Sequence, residues 1–324
     1  MQTIKRKRVR SLREFIHVLT KLKGPTGGTE RYFRGEPKDY KEAALQPSIY
    51  RNPGFLKNEP NIYREMQRFN DQEFSDDKTT FDKLSRMQHY EAPTRLVDMS
   101  EDALSALYFA LTKGQQEKEK PHRKKPRGVV YVIDVASNNL RYYDSDAVSV
   151  VANLVKSPLS ANTQAQKNKQ SIACDARKYR KRIKAFNKRK SIRFLLHDIK
   201  EEKPYFSNII DPKHIFSVQC VKPKFTHSRI NSQKGAFLLF GLNPDNIHES
   251  IRLIGTDGKM LCLNSSKVIQ HPIKRITKIV IGREHTDKMR KELEKGIGIK
   301  TPFIYPEMDK VADYLKTTVK TVRK

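Results

Sequence analysis

The sequence predicts an α+β fold: a mixed, mainly antiparallel sheet with helices packed around it, in a single compact domain with a basic insertion. Apolar residues at helical spacing and runs of β-branched residues are interspersed along the chain. They lack the regular strand–helix–strand rhythm of a doubly wound sheet. Hydrophobic residues make up 37% of the 324 residues, which is lean but sufficient for a core. Neither an internal repeat nor a linker divides the chain.

Start and stop signals place the elements. Ser11 and Glu14 have the spacing of a capping box, and Gly24 ends the helix that they begin. Helices with apolar residues at helical spacing are predicted over 11–24, 61–74, 80–90, 100–112, 145–155, 287–295 and from Pro306 onward. Strands rich in β-branched or apolar residues are predicted over 32–35, 128–135, 215–221, 236–240, 260–263 and 276–281. Ser100 is the expected N-cap of the fourth helix, and Gly296 the expected end of the sixth.

Positive charge dominates the composition, with 65 Lys and Arg against 36 Asp and Glu, a formal net charge of +29. Such a field attracts polyanions, and nucleic acid is the commonest. The predicted core covers about 11–112, 128–155 and 204–318, with a charged loop at 113–127 and a basic, partly flexible insertion at 156–193. The insertion supplies the expected nucleic-acid-binding residues Arg177, Lys178, Arg180, Lys181, Arg182, Lys188, Arg189 and Lys190. A solvated helix face is the alternative explanation of this stretch.

The three cysteines are far apart and have neither disulfide nor metal-ligand spacing, which fits a reducing compartment. The basic N-terminus lacks the apolar run of a signal peptide, and no segment approaches the roughly 20 apolar residues of a membrane span. We therefore expect a soluble, cytoplasmic protein without a metal site.

A dense run of polar side chains lies between two apolar helices, from Met87 to Ser100. It offers hydrogen-bond donors and acceptors where a core would be apolar. Structural explanations stay open, since Asp98 and Ser100 could cap a helix and Arg95 could pair with Asp98. Arg34 has the same ambiguity: it is a surface charge, half of a buried pair, or an anion-binding guanidinium beside a small Gly35.

These motifs resemble the FRG-domain family. The shared features, in order, are Phe33-Arg34-Gly35, Gln88-His89, Pro93-Thr94-Arg95-Leu96, Asp98, Ala106-Leu107-Tyr108-Phe109-Ala110, then Arg229, Gln233, Gly235 and Phe237, and finally Gly296-Ile297 and Tyr305-Pro306. The chain also departs from the family. Glu36 replaces the usual Gln, Glu91 the usual Gly, Met99 an aromatic residue and Ser100 a Thr, and Tyr305 stands directly before its proline.

The resemblance implies a protein of bacterial or phage defence, or a toxin. The triplet is also similar to the first motif of Arg-type ADP-ribosyltransferases, in which Arg holds the phosphates of NAD. That similarity implies Arg34, His89, Asp98 and Gln233 as catalytic residues. It implies Arg34, Gly35, Glu36, Gln88, Thr94, Arg95, Ser100 and Arg229 as cofactor-binding residues. A carboxylate or amide would there stabilise the positive charge that develops on the ribose.

Two other functions remain open from the sequence. The first is a non-catalytic module that senses a nucleotide or nucleic acid and signals to a partner, such as a regulatory or antitoxin protein. The second is a metal-dependent nuclease, for which Asp198, Glu201 and Lys203 are the one local indication. The sequence has no P-loop, no glycine-rich dinucleotide fingerprint, no HExxH motif and no nucleophile elbow.

Overall fold

A computed structural model describes residues 5–24, 27–112, 128–157, 183–215, 217–226, 228–242 and 273–322. Within these ranges, eight strands form one sheet in the order β1-β8-β4-β2-β3-β7-β6-β5. The strands are β1 (Lys5–Val9), β2 (Thr29–Glu36), β3 (Leu96–Ser100), β4 (Gly128–Ala136), β5 (Leu140–Tyr142), β6 (Val218–Lys222), β7 (Gly235–Phe240) and β8 (Ile273–Ile281). The sheet is mixed and mostly antiparallel, and helices pack against it, so the α+β prediction is confirmed.

Helices make up most of the remaining described structure. They are α1 (Leu12–Lys21), α2 (Pro53–Lys57), α3 (Glu59–Phe69), α4 (Thr80–His89), α5 (Ala103–Leu111), α6 (Asp146–Ala152), α7 (Lys190–Glu202), α8 (Pro212–Ile215), α9 (Ser228–Ser232), α10 (Thr286–Lys291), α11 (Thr301–Ile304) and α12 (Met308–Val322). The Ser11 hydroxyl accepts from the Glu14 amide at 3.2 Å, as the capping signal predicts. No described helix is long and apolar enough to cross a membrane.

The middle of the sheet has an interruption that positions the site. Strand β2 pairs with β4 along its whole length, from Thr29 opposite Ala136 to Glu36 opposite Val129. On its other side, β2 meets β3 at one register pair only, Phe33 opposite Ser100. The sheet is therefore two four-stranded halves that are joined by a minimal backbone contact.

The core follows this division. On one face, a cluster around Phe33, β4 and β8 packs against α1, α5 and α10. On the same face of the sheet, in the half formed by β3, β7, β6 and β5, residues of β3, β6 and β7 pack against α3, α4, α6 and α7. Apolar residues of both halves share a third cluster on the opposite face, which Ala44 and Leu45 cover. Every residue of β4 is buried, as expected of a central strand.

Several predicted boundaries are wrong. Ser100 ends strand β3 and does not cap a helix; Asp102 caps α5, and its carboxylate accepts from the amides of Leu104 and Ser105. The polar run predicted as a loop thus contains a core strand, because Leu96, Val97 and Met99 are buried. Past α10 the chain continues as a π-helix over Glu292–Ile297 and ends at Gly298, which has φ 86°, not at Gly296.

Two basic segments also fold differently from the prediction. The N-terminal run Lys5–Val9 is a strand that pairs in parallel with β8. The end of the predicted insertion belongs to the core. Phe186 and Ile192 are buried in the cluster that β3, β6 and β7 form with the helices packed on them. The charged loop at 113–127, most of the basic insertion and the predicted strand at 260–263 lie outside the described residues.

Candidate functional site

A cavity of about 330 Å³ opens where β2 and β3 separate. It gathers side chains that are far apart in the sequence, from the triplet, from the segment after α4 and from α9. The sequence-predicted residues that line it are Arg34, Gly35, Gln88, Asp98, Ser100, Arg229 and Gln233. A smaller space of about 30 Å³ adjoins it and is lined by His89 as well as by Asp98 and Arg229.

Arg34 spans the gap between the two strands. Its Nη1 donates to the backbone oxygen of Asp98 at 2.7 Å and lies 3.6 Å from the carboxylate of the same residue. Its Nε donates to Glu36 Oε1 at 3.2 Å. The guanidinium therefore takes the place of backbone pairing at the point where the sheet opens. Its five donors allow it to hold these groups and still face an anion.

Gln88, Asp98 and Thr94 form a chain of hydrogen bonds beside Arg34. The Gln88 amide nitrogen donates to Asp98 Oδ2 at 2.8 Å, and the Thr94 hydroxyl donates to Gln88 Oε1. Thr94 is buried, and its hydroxyl also accepts from the Leu96 amide at 3.1 Å. Thr94 thus orients Gln88, so its predicted contact with a cofactor is not what the geometry supports. The Asp98 side chain remains half exposed to the cavity.

Arg51 is a cavity residue that the sequence analysis missed. It donates to the Gln46 carbonyl at 3.1 and 3.3 Å and lies over the Tyr40 ring, 5.5 Å from its centroid. Desolvation and the like charge of Arg34 lower the pKa of Arg51. Among the described residues it has no carboxylate partner, so an anion in the cavity would relieve this repulsion. Its position after a 3-10 turn in a proline-rich stretch carries no motif that could have indicated this role.

Aromatic and polar side chains form the opposite wall. The Arg229 guanidinium lies 4.6 Å from the centroid of the Tyr305 ring, which in turn meets Phe109 edge to face. The Gln233 side-chain nitrogen donates to the Ile304 carbonyl at 2.9 Å. Burial raises the pKa of Tyr305 to about 12, so its hydroxyl is protonated at neutral pH. Planar groups can stack on such a wall, and the cation strengthens it.

His89 lies behind this wall. Its backbone oxygen accepts from Arg229 at 2.9 Å, and its Nε2 lies 3.5 Å from Glu307 Oε1. Burial and the charge of Arg229 lower the pKa of His89. The imidazole lines the adjoining small space and not the main cavity.

Two residues of the triplet region have structural roles that the sequence did not indicate. Glu36 is buried, does not line the cavity, and holds Arg34 from behind while accepting from the Leu45 amide at 3.3 Å. Desolvation raises the pKa of Glu36 although Arg34 lowers it. A Cβ on Gly35 would lie 1.8 Å from the Ala106 carbonyl oxygen, so this glycine is required by the packing of α5 on β2. This packing explains Gly35 without the predicted approach of the backbone to a ligand.

Arg95 and Ser100 also differ from the prediction. The Arg95 guanidinium is fully buried and makes a bidentate ion pair with Glu59, and it donates to the Tyr50 hydroxyl at 2.9 Å. Its donors are therefore engaged within the fold, and it does not line the cavity, so the geometry supports a structural role and not the predicted contact with a cofactor. Ser100 lines the cavity, but its hydroxyl donates to the Gln233 carbonyl at 2.5 Å and links β3 to the end of α9.

The predicted nucleic-acid-binding stretch is described only at its end. Arg177, Lys178, Arg180, Lys181 and Arg182 lie outside the described residues. Lys188 and Lys190 are exposed, and the Lys190 ammonium lies 5.7 Å from the ring centroid of Phe194. Arg189 lies over the ring of the buried Phe186. Basic and aromatic groups are therefore adjacent at the start of α7.

The fold and the cavity define an α+β protein with an arginine-lined cavity in a divided sheet. Residues 29–119 match the family model described as FRG domain. The matched segment holds the triplet, the polar run and α5, so this part of the chain is similar to FRG domains. Comparison with curated proteins gives no match, and comparison with solved structures gives none either.

Proposed function

We propose that the cavity binds a nucleotide through its phosphates and that its ligand is NAD, whose ADP-ribose it transfers. The observation that carries the proposal is the placement of Arg34 and Arg51 at one cavity, with electrostatic repulsion between them. Two guanidiniums at one cavity suit a pyrophosphate, because each presents paired donors to phosphate oxygens. The aromatic wall of Phe109 and Tyr305 suits a planar base.

In this reaction the bond between the anomeric carbon of ribose and the nicotinamide nitrogen breaks, and its electron pair leaves on the nicotinamide. A nucleophilic atom of the acceptor bonds to the same carbon and gives its proton to solvent. Positive charge develops on the ribose, and the half-exposed Asp98 carboxylate is a group of the right sign at the cavity. Gln233 lines the same cavity, and His89 lines the small space that adjoins it.

Titration calorimetry with NAD, ADP-ribose and AMP tests the binding step. We expect Arg34→Gln and Arg51→Gln each to weaken the binding of ADP-ribose by roughly tenfold to a hundredfold, the value of a charge-assisted hydrogen bond. Arg68→Gln is the matched control, since Arg68 is exposed on α3, pairs with Glu65 and does not line the cavity. If the wild-type protein binds none of the three ligands, the proposal fails.

Release of nicotinamide tests the transfer step. Incubation with NAD labelled in the adenine ring, together with nucleic acid or cell lysate, should release nicotinamide and label the acceptor. Nucleotide binding without either product would replace the transferase by a sensing module that responds to the nucleotide. Among the described residues no three His, Cys, Asp or Glu side chains are grouped to hold a metal ion.

Nucleic acid is proposed as a partner from the charge of +29 and the basic and aromatic groups at the start of α7. Exposed aromatic rings stack on unpaired bases, and lysines beside them neutralise the backbone. Lys188→Gln with Lys190→Gln should lower the salt slope of single-strand binding by about 1.4, from two lost phosphate contacts. Lys57→Gln with Lys316→Gln removes two exposed charges elsewhere and is the control. Affinity that barely changes with salt would reject this partner.

A further inference from the structure

Glu91 has a backbone conformation that favours glycine. It follows the C-cap of α4 with φ 60°, in the left-handed region. The Ala92 amide donates to the Met87 carbonyl at 3.0 Å and the Glu91 amide to the Gln88 carbonyl at 3.0 Å, which is the Schellman arrangement. A residue with a Cβ is strained at this position relative to glycine. The presence of a glutamate therefore calls for a reason beyond the fold.

Contacts within the protein do not supply that reason. The Glu91 side chain is exposed, and among the described residues it makes no hydrogen bond and no ion pair. In the described part of the chain, three other non-glycine residues have positive φ. Leu45 is buried in the core, and Lys41 and Lys234 are exposed and do not line the cavity. Glu91 thus combines left-handed strain with a position at the cavity.

The charge of Glu91 is available to a ligand. The other carboxylate at the cavity, that of Asp98, already accepts from Gln88 and lies 3.6 Å from Arg34. Glu91 has no such compensation, and it is close enough to Tyr305 at the aromatic wall to act on that hydroxyl electrostatically. The cavity therefore presents cations for phosphates and, in addition, a free carboxylate.

We infer that Glu91 is a specificity-determining residue that selects a nucleotide with a positively charged base, so that the site takes oxidised NAD in preference to its reduced form. The inference rests on the proposed function. The nicotinamide ring carries a formal positive charge when oxidised and none when reduced, while the phosphates and riboses are the same. A carboxylate at the cavity distinguishes the two forms by Coulomb attraction alone.

Binding of a carbocyclic NAD analogue tests the selection in both redox forms. In this analogue a methylene group replaces the ring oxygen of the nicotinamide-bearing ribose, which prevents loss of nicotinamide. The wild-type protein should bind the oxidised form roughly tenfold more tightly, because the attraction of a carboxylate for a cation about 4 Å away in an open cavity lies closer to its value in bulk water than to its larger value near a protein surface. In Glu91→Gln the ratio should fall to about one, with the affinity for the reduced form unchanged. Equal affinities in the wild type, or a ratio that survives in Glu91→Gln, would overturn the inference and leave the proposed function standing.

Thermal unfolding supplies a second readout of opposite sign. Glu91→Gly should raise Tm by roughly 2 °C, because it relieves the strain, while it abolishes the selection. Lys41→Gly relieves the same kind of strain outside the cavity, so it should raise Tm similarly and keep the selection. A lower Tm in Glu91→Gly would show that the carboxylate serves the fold and would reject the inference. Failure of the wild type to bind either form would instead remove the proposed function itself.

Discussion

The Arg34 guanidinium donates to the backbone oxygen of Asp98 across 2.7 Å and thereby connects two strands that share one register pair. A single side chain thus acts at the joint of the sheet and at the edge of the cavity. The triplet at the end of a strand is therefore structural, and under the proposed function it also binds the ligand. Changes at Arg34 will then affect stability and binding together.

Replacing Arg34 by lysine keeps the charge but removes the planar set of donors. An ammonium cannot serve Glu36, the Asp98 carbonyl and a phosphate at once, so we expect about 1 kcal/mol less stability and at least roughly tenfold weaker ADP-ribose binding. Chemical unfolding and calorimetry measure the two effects. Arg68→Lys, on an exposed pair with Glu65, should change neither. Full binding by Arg34→Lys would show that charge alone suffices.

Gly35→Ala should destabilise the protein severely. The new Cβ would overlap the Ala106 carbonyl oxygen at 1.8 Å and approach the Ala110 amide at 2.8 Å, so α5 must move away from β2. Overpacking of this kind costs about 1–3 kcal/mol or more, measured as the free energy of unfolding. Gly24→Ala is the control, because a Cβ there meets nothing within 4 Å. Equal stability of the two variants would contradict the packing described for the triplet.

Glu36→Gln should stabilise the protein at neutral and alkaline pH. Burial raises the pKa of Glu36 above that of the unfolded chain, so the native state binds more protons and loses stability as pH rises from the unfolded pKa to the folded one. A neutral amide avoids this loss. Urea unfolding from pH 4 to pH 8 should show a gap between variant and wild type that widens with pH. Parallel curves would show that the carboxyl ionises without cost.

Arg95→Met should cost about 3–5 kcal/mol of stability, because it leaves the Glu59 carboxylate buried without its partner. Adding Glu59→Leu removes that charge and should recover much of the loss. Thermal unfolding of both variants measures the difference. If Arg95→Met kept its stability but lost ADP-ribose binding, Arg95 would return to the ligand-binding residues.

Much of the fold could be predicted from local signals. Ser11 caps α1 where its side chain indicated. The β-branched run of β4 formed the central strand. The strand β3 could not be found in this way, because Pro93, Thr94 and Asp98 surround its three apolar residues with polar ones. Strand β1 was hidden for a similar reason: four of its five residues are basic, and its partner β8 is more than 250 residues away.

The sequence indicated segments that line the cavity, but not the contacts that each residue makes there. The polar run and the triplet indicated Arg34, Gln88 and Asp98, since unsatisfied polar groups between apolar elements need a purpose. Which guanidinium faces the cavity depends on tertiary pairing. Arg95, which was predicted at the site, is buried against Glu59, and Arg51, which was not predicted, lines the cavity. No local pattern reveals that Arg95 pairs with the buried Glu59. Nor does any local pattern reveal that Arg51 has no carboxylate partner among the described residues.

The division of the sheet has a consequence for hydrogen exchange. In most sheets the central strands are protected longest, because their amides bond on both sides. Here the facing edges of β2 and β3 lie at the middle of eight strands and share one register pair. Deuterium should therefore enter the centre of this sheet along that seam sooner than it enters the flanking pairs of β2 with β4 and of β3 with β7. A nucleotide held between Arg34 and Arg51 would slow this entry, so the seam itself reports occupancy.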